Sequence, residues 1–474
     1  MKKVFHLILL FIFTSFFVNA QPVNQLTIIT ASDGQADDMF GHSLSISGNT
    51  GVMGTPQDDD IAENSGAVYI YEKDASDLWH PSAKLTAPGG EAYDFFGEAV
   101  DIEGDYLVAS AYQAVGAGSN TGAAYIYKRN GTNWEFKQKI YADDGVSADN
   151  FGKSIAISGD YIVVGAPNED FSTGVAYVFH RSGETWTQVA RLEEITGDEM
   201  NDSFARSVDI SGDYIVIGAW QDNAPGSNTG ATYIYKNNSG TWELDVKLVA
   251  DDAQIDDEVG YSVAISGNYV VSGSFNQNGA KGAAYVFYNN AGTWEQQAKI
   301  EAIDGVSEDY FGKNVSISGD YILVGAQKHN SAKADEGTAY LFTRSGTSWT
   351  QTQQFTASDA SDTDMFGYCT AIDGDYALVS TVQVNGKVYV FAPEGAGVEN
   401  LENNISIFPN PANNFLTVKS NNFEIKNIKL IGLTGNIISN STEKTLDISN
   451  LTTGLYFIEI ETNKGVYTQK FIKK

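Results

Sequence analysis

The side chains in this chain that could do chemistry are mostly carboxylates. An Asp stands two residues before each of seven recurring landmarks, five of them a literal Phe-Gly, at Asp38, Asp94, Asp149, Asp202, Asp257, Asp309 and Asp364. A carboxylate so placed accepts backbone N–H bonds and holds a loop. Its recurrence in every copy assigns it to the scaffold. The densest acidic cluster falls in the first copy, with Asp33, Asp37 and Asp38 in one loop and Asp58, Asp59 and Asp60 in the next. Calcium takes six to eight oxygens, so these six are the candidate metal ligands and calcium is the candidate cofactor, the alternative being a solvated acidic face.

One position breaks the symmetry of the copies. It reads Pro56, Tyr112, Pro167, Trp220, Phe275, Gln327 and Val382. The rings of Tyr112, Trp220 and Phe275, beside polar loops such as QDNAPGSNTG, are the candidate ligand-binding residues, able to stack on a sugar ring or an exposed peptide. Catalytic patterns are missing: there is no HExxH or GxSxG, and His42, His80, His180 and His329 are spread over three of the copies. FGKS at Phe151–Ser154 has the end of a phosphate loop, but Ser147 stands where its first Gly is required and a strand pattern follows.

The elements that must position these residues repeat about every 55 residues. In FGKSIAISGDYIVVGAP (Phe151–Pro167) an alternating run leads through Gly159-Asp160 to a second apolar run, the signal for a hairpin with a two-residue turn. A third run (GVAYVFH) and a Trp-led fourth (TWTQVARLEE) complete a four-stranded unit. Seven such units predict an all-β, seven-bladed β-propeller. The fourth strand opens at Trp79, Trp134, Trp186, Trp242, Trp294 and Trp349, but the seventh unit stops at Phe391. Residues 26–31 (LTIITA) have the fourth-strand pattern and no unit of their own, so they are expected to complete blade 7 and remove an open edge.

Residues 1–20 read as a secretory signal peptide, with Lys2-Lys3, an apolar run and Val18-Asn19-Ala20 before Gln21. No later stretch is long and apolar enough to predict a membrane span. The formal net charge is −31, and the tail from Glu399 is close to neutral, so the acid excess belongs to the repeats. Such a surface repels nucleic acid and anionic membranes. Cys369 is the only cysteine, so no intramolecular disulfide can form, and it reads as a structural thiol.

Residues 26–391 resemble the FG-GAP repeat family, best known from integrin alpha subunits. The resemblance rests on the seven landmarks and their partners MGTP, ASAY, GAPN, GAWQ, GSFN, GAQK and STVQ. In the integrin members a calcium loop occupies the hairpin that here is only Gly plus Asp or Asn, so those metal sites are not carried over. The tail is similar to the C-terminal sorting domain of type IX secretion substrates, through ISIFPNP (405–411), KLIGLTGN (429–436), LDISNL (446–451), Gly454-Leu455-Tyr456 and the terminal KFIKK. That resemblance implies a small Ig-like β-sandwich that engages the type IX secretion machinery and carries its cargo across an outer membrane.

The expected organisation is a signal peptide (1–20), a propeller (21–395), a linker (396–404) and a sorting domain (405–474). The expected function is a secreted or surface-attached, non-catalytic module for adhesion or for recognition of an extracellular glycan or protein on the acidic rim. A polysaccharide-active hydrolase and a structural surface-layer component are the alternatives.

Overall fold

The computed structural model describes residues 25–194, 202–223, 225–330, 333–374, 376–382, 386–392, 405–420, 425–432, 437–462 and 466–474. The expected signal peptide (1–20) and linker (396–404) lie outside the described residues, as does Asp375 of the last hairpin turn. The chain divides into two compact units, Met1–Pro393 and Glu394–Lys474.

Blade 3 shows how the repeat folds. Its strands Ser154–Ser158, Tyr161–Ala166, Val175–Ser182 and Thr185–Glu193 pair antiparallel in sequence order. The first turn pairs Ser158 with Tyr161, and Gly159 supplies the positive φ, 58°, that this turn demands. The second strand is apolar without alternation because neighbouring blades cover both of its faces; Ile162, Val163 and Val164 are fully buried. Gly165 lets the next blade approach, since a Cβ there would stand 2.1 Å from the Ala205 carbonyl oxygen. The tryptophans tie blades together on the opposite face. Trp186 meets Tyr106 of blade 2 edge-on, and Trp242 meets Tyr161 of blade 3 in the same way.

Seven such four-stranded sheets form the propeller. The strands nearest the axis pack one on the next around the circle, and blade 7 returns to blade 1. Turn-to-turn bonds follow the same path: the N–H of Gly104 donates to Ser47 (3.2 Å), Gly267 to Ser211 (3.2 Å), Gly319 to Ser266 (3.1 Å) and Gly374 to Ser318 (3.1 Å). Blade 7 consists of Thr370–Asp373, Tyr376–Thr381, Lys387–Phe391 and, as its outer strand, Gln25–Ile29. This last strand starts and stops slightly earlier than its sequence pattern, the Thr30 carbonyl being taken by the Tyr71 hydroxyl at 2.8 Å.

The second unit is built from two sheets, one of Ile405–Phe408, Phe415–Ser420 and Thr445–Asp447, the other of Ile437–Ser441, Ile425–Ile431, Gly454–Thr462 and Val466–Lys473. Leu416, Val418 and Leu446 from the first share one core with Ile428, Leu430, Ile458 and Phe471 from the second. No helix among the described residues is long and apolar enough to cross a membrane.

Candidate functional site

The seven inner strands enclose an axial channel of about 750 Å³. Its mouth on the loop face is lined by the residue after each landmark pair: His42, Glu98, Lys153, Arg206, Tyr261, Lys313 and Tyr368. The two halves of this ring differ. On blades 1 to 3 the charges are compensated. Glu98 pairs with Lys153 and, at 3.5 Å, with His42. Burial alone would raise the Glu98 pKa, but His42 and Lys153 hold it down to about 2. On blades 4 to 6 Arg206 and Lys313 face aromatic rings instead of acids.

That half carries a chain of rings. Trp220 meets Tyr261 edge-on with centroids 5.6 Å apart, Tyr261 meets Phe275 at 4.6 Å, and Phe275 meets Tyr310 at 5.5 Å. All four are half-buried. The Arg206 guanidinium lies 5.2 Å from the Tyr261 centroid, and Lys313 Nζ lies 5.7 and 5.4 Å from those of Phe275 and Tyr310. Of the three aromatics singled out in the sequence, the structure thus joins Trp220 and Phe275 through Tyr261. Tyr112 belongs to a separate group, stacked on Phe95 at 5.4 Å under Lys153 Nζ at 4.5 Å.

The acid cluster of blade 1 has a different use. Asp33, Asp58 and Asp60 converge, but on the ammonium of Lys84, which lies 3.0 Å from Asp33 and 2.8 Å from Asp58 and also pairs with Asp60. The Tyr69 hydroxyl donates to Asp33 (2.7 Å) and Asp58 (3.0 Å). Asp59 instead accepts the Asn64 N–H at 2.7 Å, Asp38 accepts that of Gln35 at 2.6 Å, and Asp37 is exposed on left-handed backbone, φ 74°. These residues do not fit calcium: a lysine stands where the ion would, and half of the six carboxylates point elsewhere. No group of three or more metal-ligating side chains suited to a metal ion occurs among the described residues.

The repeated Asp closes its own loop. Its carboxylate accepts the N–H three residues upstream at Asp38, Asp94 (2.8 Å), Asp149 (2.6 Å), Asp257 (2.8 Å), Asp309 (2.7 Å) and Asp364 (2.5 Å). At Asp202 the upstream residue lies outside the described residues. Deeper in the channel stand Asp101 and Asp209. Burial pushes their carboxyls up, to about 6 and about 7, against the N–H groups of Ile157 and Ile265 that each accepts at 2.7 Å. Cys369 is buried and its thiol is pushed up to about 11, so it is inert at neutral pH.

Comparison with known families rests on the same repeat. The FG-GAP repeat profile matches seven times, over residues 23–71, 79–127, 134–179, 186–235, 242–287, 294–342 and 349–391, well over half of the chain. The chain belongs to the FG-GAP repeat family. Residues 406–474 match the secretion system C-terminal sorting domain, which makes this FG-GAP protein one that is secreted or attached at the outer-membrane surface. No curated protein matches it. In this FG-GAP chain each matched unit after the first starts on a Trp-led outer strand and ends on the third strand of the next blade. The first unit takes in Gln25–Ile29, the strand that completes blade 7.

Sequence reasoning missed the mouth ring, and the signal was present. The residue after the Phe-Gly pair changes class from copy to copy while its neighbours stay fixed. It also missed the role of the acid that opens five of the seven loops. Asp144, Asp252, Asp304 and Asp359, the counterparts of Asp33, accept the hydroxyls of Tyr177, Tyr285, Tyr340 and Tyr389 at 2.7–2.9 Å.

Proposed function

We propose that this protein is an extracellular, non-catalytic binding module, in adhesion or in recognition of a glycan or protein, whose ligand sits at the loop-face mouth of the propeller channel. The observation that carries this is the half-buried run of rings Trp220–Tyr261–Phe275–Tyr310. Aromatic faces of this kind gather at recognition surfaces because they give large contact area at low entropic cost. The location outside the cell, given by the sorting domain, puts such a surface among matrix proteins and polysaccharides. The net charge of −31 suggested recognition on an acidic rim. The ring-lined part of the mouth instead carries cations.

The test is a screen of the full-length chain against neutral and charged polysaccharides and matrix proteins. Trp220→Ala and Phe275→Ala are expected to weaken the captured ligand about tenfold or more without loss of thermal stability. Binding that is indifferent to both substitutions, or absent from the whole screen, would sink the reading.

A further inference from the structure

Arg206, Lys313 and Lys328 form a cationic group with no carboxylate partner among the described residues, in a protein whose other mouth lysine, Lys153, is paired. Arg206 and Lys313 line the channel mouth. Lys328 Nζ lies 4.7 Å from the Tyr310 centroid, the ring that Lys313 also faces. Burial and then the charges of Lys328 and Arg206 all press the Lys313 pKa down, so the three cations repel one another across a partly desolvated space. Acids outnumber bases 60 to 29, and an anionic partner for these groups would be the easiest kind to encode. Three half-buried cations left together lack the compensation that desolvated charge requires.

We infer that the blade 4 to 6 side of the mouth binds an anionic sugar unit of an extracellular polysaccharide, its carboxylate or sulfate held by Arg206, Lys313 and Lys328 and its ring laid on Tyr261 and Phe275. This rests on the binding-module reading and deepens it. Guanidinium and ammonium groups take carboxylate and sulfate oxygens through charge-assisted hydrogen bonds, and bound anion would remove the mutual repulsion of the cations. The adjoining rings offer apolar faces within the same few ångströms. A concave mouth admits a sugar unit, whereas a folded protein partner needs a surface of roughly 800 Å² on each side. The acidic remainder of the surface does not cancel this, because at physiological salt its field is screened within about 8 Å.

The experiment compares binding of the full-length chain to polygalacturonate, to its carboxyl-reduced neutral form, and to a sulfated galactan with its desulfated form. Wild type should prefer one or both charged polymers by roughly tenfold or more, and the preferred pair identifies carboxylate or sulfate as the group. Lys313→Gln and Arg206→Gln should each abolish the preference while residual binding to the neutral form survives, and Lys313→Arg, which keeps the charge, should retain it. Melting curves separate loss of the site from loss of the fold, and Lys328→Gln, on the loop side, gives a second neutralisation distant from the inner strands. Equal binding of charged and neutral polymers, or a preference untouched by the neutralising substitutions, overturns the anion site and leaves the aromatic reading standing. Capture of an acidic peptide in place of any polysaccharide overturns the sugar assignment. Absence of binding to polysaccharides, peptides and matrix proteins alike defeats both.

Discussion

The backbone N–H of Gly48 donates to the Asp373 carboxylate at 2.7 Å, joining two turns 325 residues apart in the chain. It is one of the bonds between blade 7 and blade 1, in the place that serines occupy at most other blade junctions. Asp373→Ala should cost about 1 kcal/mol of unfolding free energy, read as a lowered denaturant midpoint, and Asp373→Ser should restore most of it. A variant lacking residues 25–31 should lose far more and aggregate, because Lys387–Phe391 would become a free edge. Unchanged midpoints in both would show that ring closure depends on neither contact.

Two glycines of one repeat should respond differently to the same change. At Gly159 nothing lies within 4 Å of an added Cβ, so Gly159→Ala meets only the positive φ and should cost about 1 kcal/mol. At Gly165 the Cβ would stand 2.1 Å from the Ala205 carbonyl oxygen and 2.3 Å from Ser154 Oγ, so Gly165→Ala must push blades 3 and 4 apart, at a cost of about 3 kcal/mol. Chemical denaturation of the two variants ranks them; a larger loss at Gly159 would contradict the close blade contact.

Lys84 neutralises Asp33, Asp58 and Asp60, and Asp58 is only 3% exposed. Lys84→Met should therefore destabilise the propeller by about 2 kcal/mol through an uncompensated buried carboxylate. It should also make the melting temperature respond to added calcium, since oxygens would then surround the place the ammonium left. The melting temperature of wild type should not move between calcium and chelator. A calcium response in wild type that matches the variant would overturn the account of Lys84 as the resident cation.

Asp101 and Asp209 titrate at about 6 and about 7 in the fold, above the ordinary 3.8, with burial as the main cause. Between these values the native state holds protons that the unfolded chain has released, so stability falls as pH rises. Their contribution is complete below pH of about 4 and is lost as pH climbs to about 7, on the order of 2 kcal/mol for each. The difference in unfolding free energy between wild type and Asp101→Asn/Asp209→Asn should therefore narrow as pH rises from 5 to 8. The double variant should carry a constant penalty as well, because an amide cannot accept every bond that Ser45, Ile157 and Ile265 donate. A pH-independent difference would mean that the two carboxyls ionise freely in the channel.

Local pattern alone determined much of this protein. Alternation, the Gly-Asp turns and the Trp-led strands specified every blade, because a β-strand and a two-residue turn are encoded within a dozen neighbouring residues. The surplus strand near the N-terminus and the missing one after Phe391 even showed where the ring closes. Family resemblance added the sorting domain. What the sequence could not show is which side chains from different copies meet. Asp58 and Lys84 become partners only when the blade folds; Arg206, Lys313 and Lys328 become one charge group only when blades 4, 5 and 6 stand side by side around an axis. Burial has the same origin. Asp101 and Asp209 are ordinary acids on alternating strands until seven inner strands close about them, and it is the circle, made of contacts between residues some 50 or more apart, that half-buries them and shifts their ionisation.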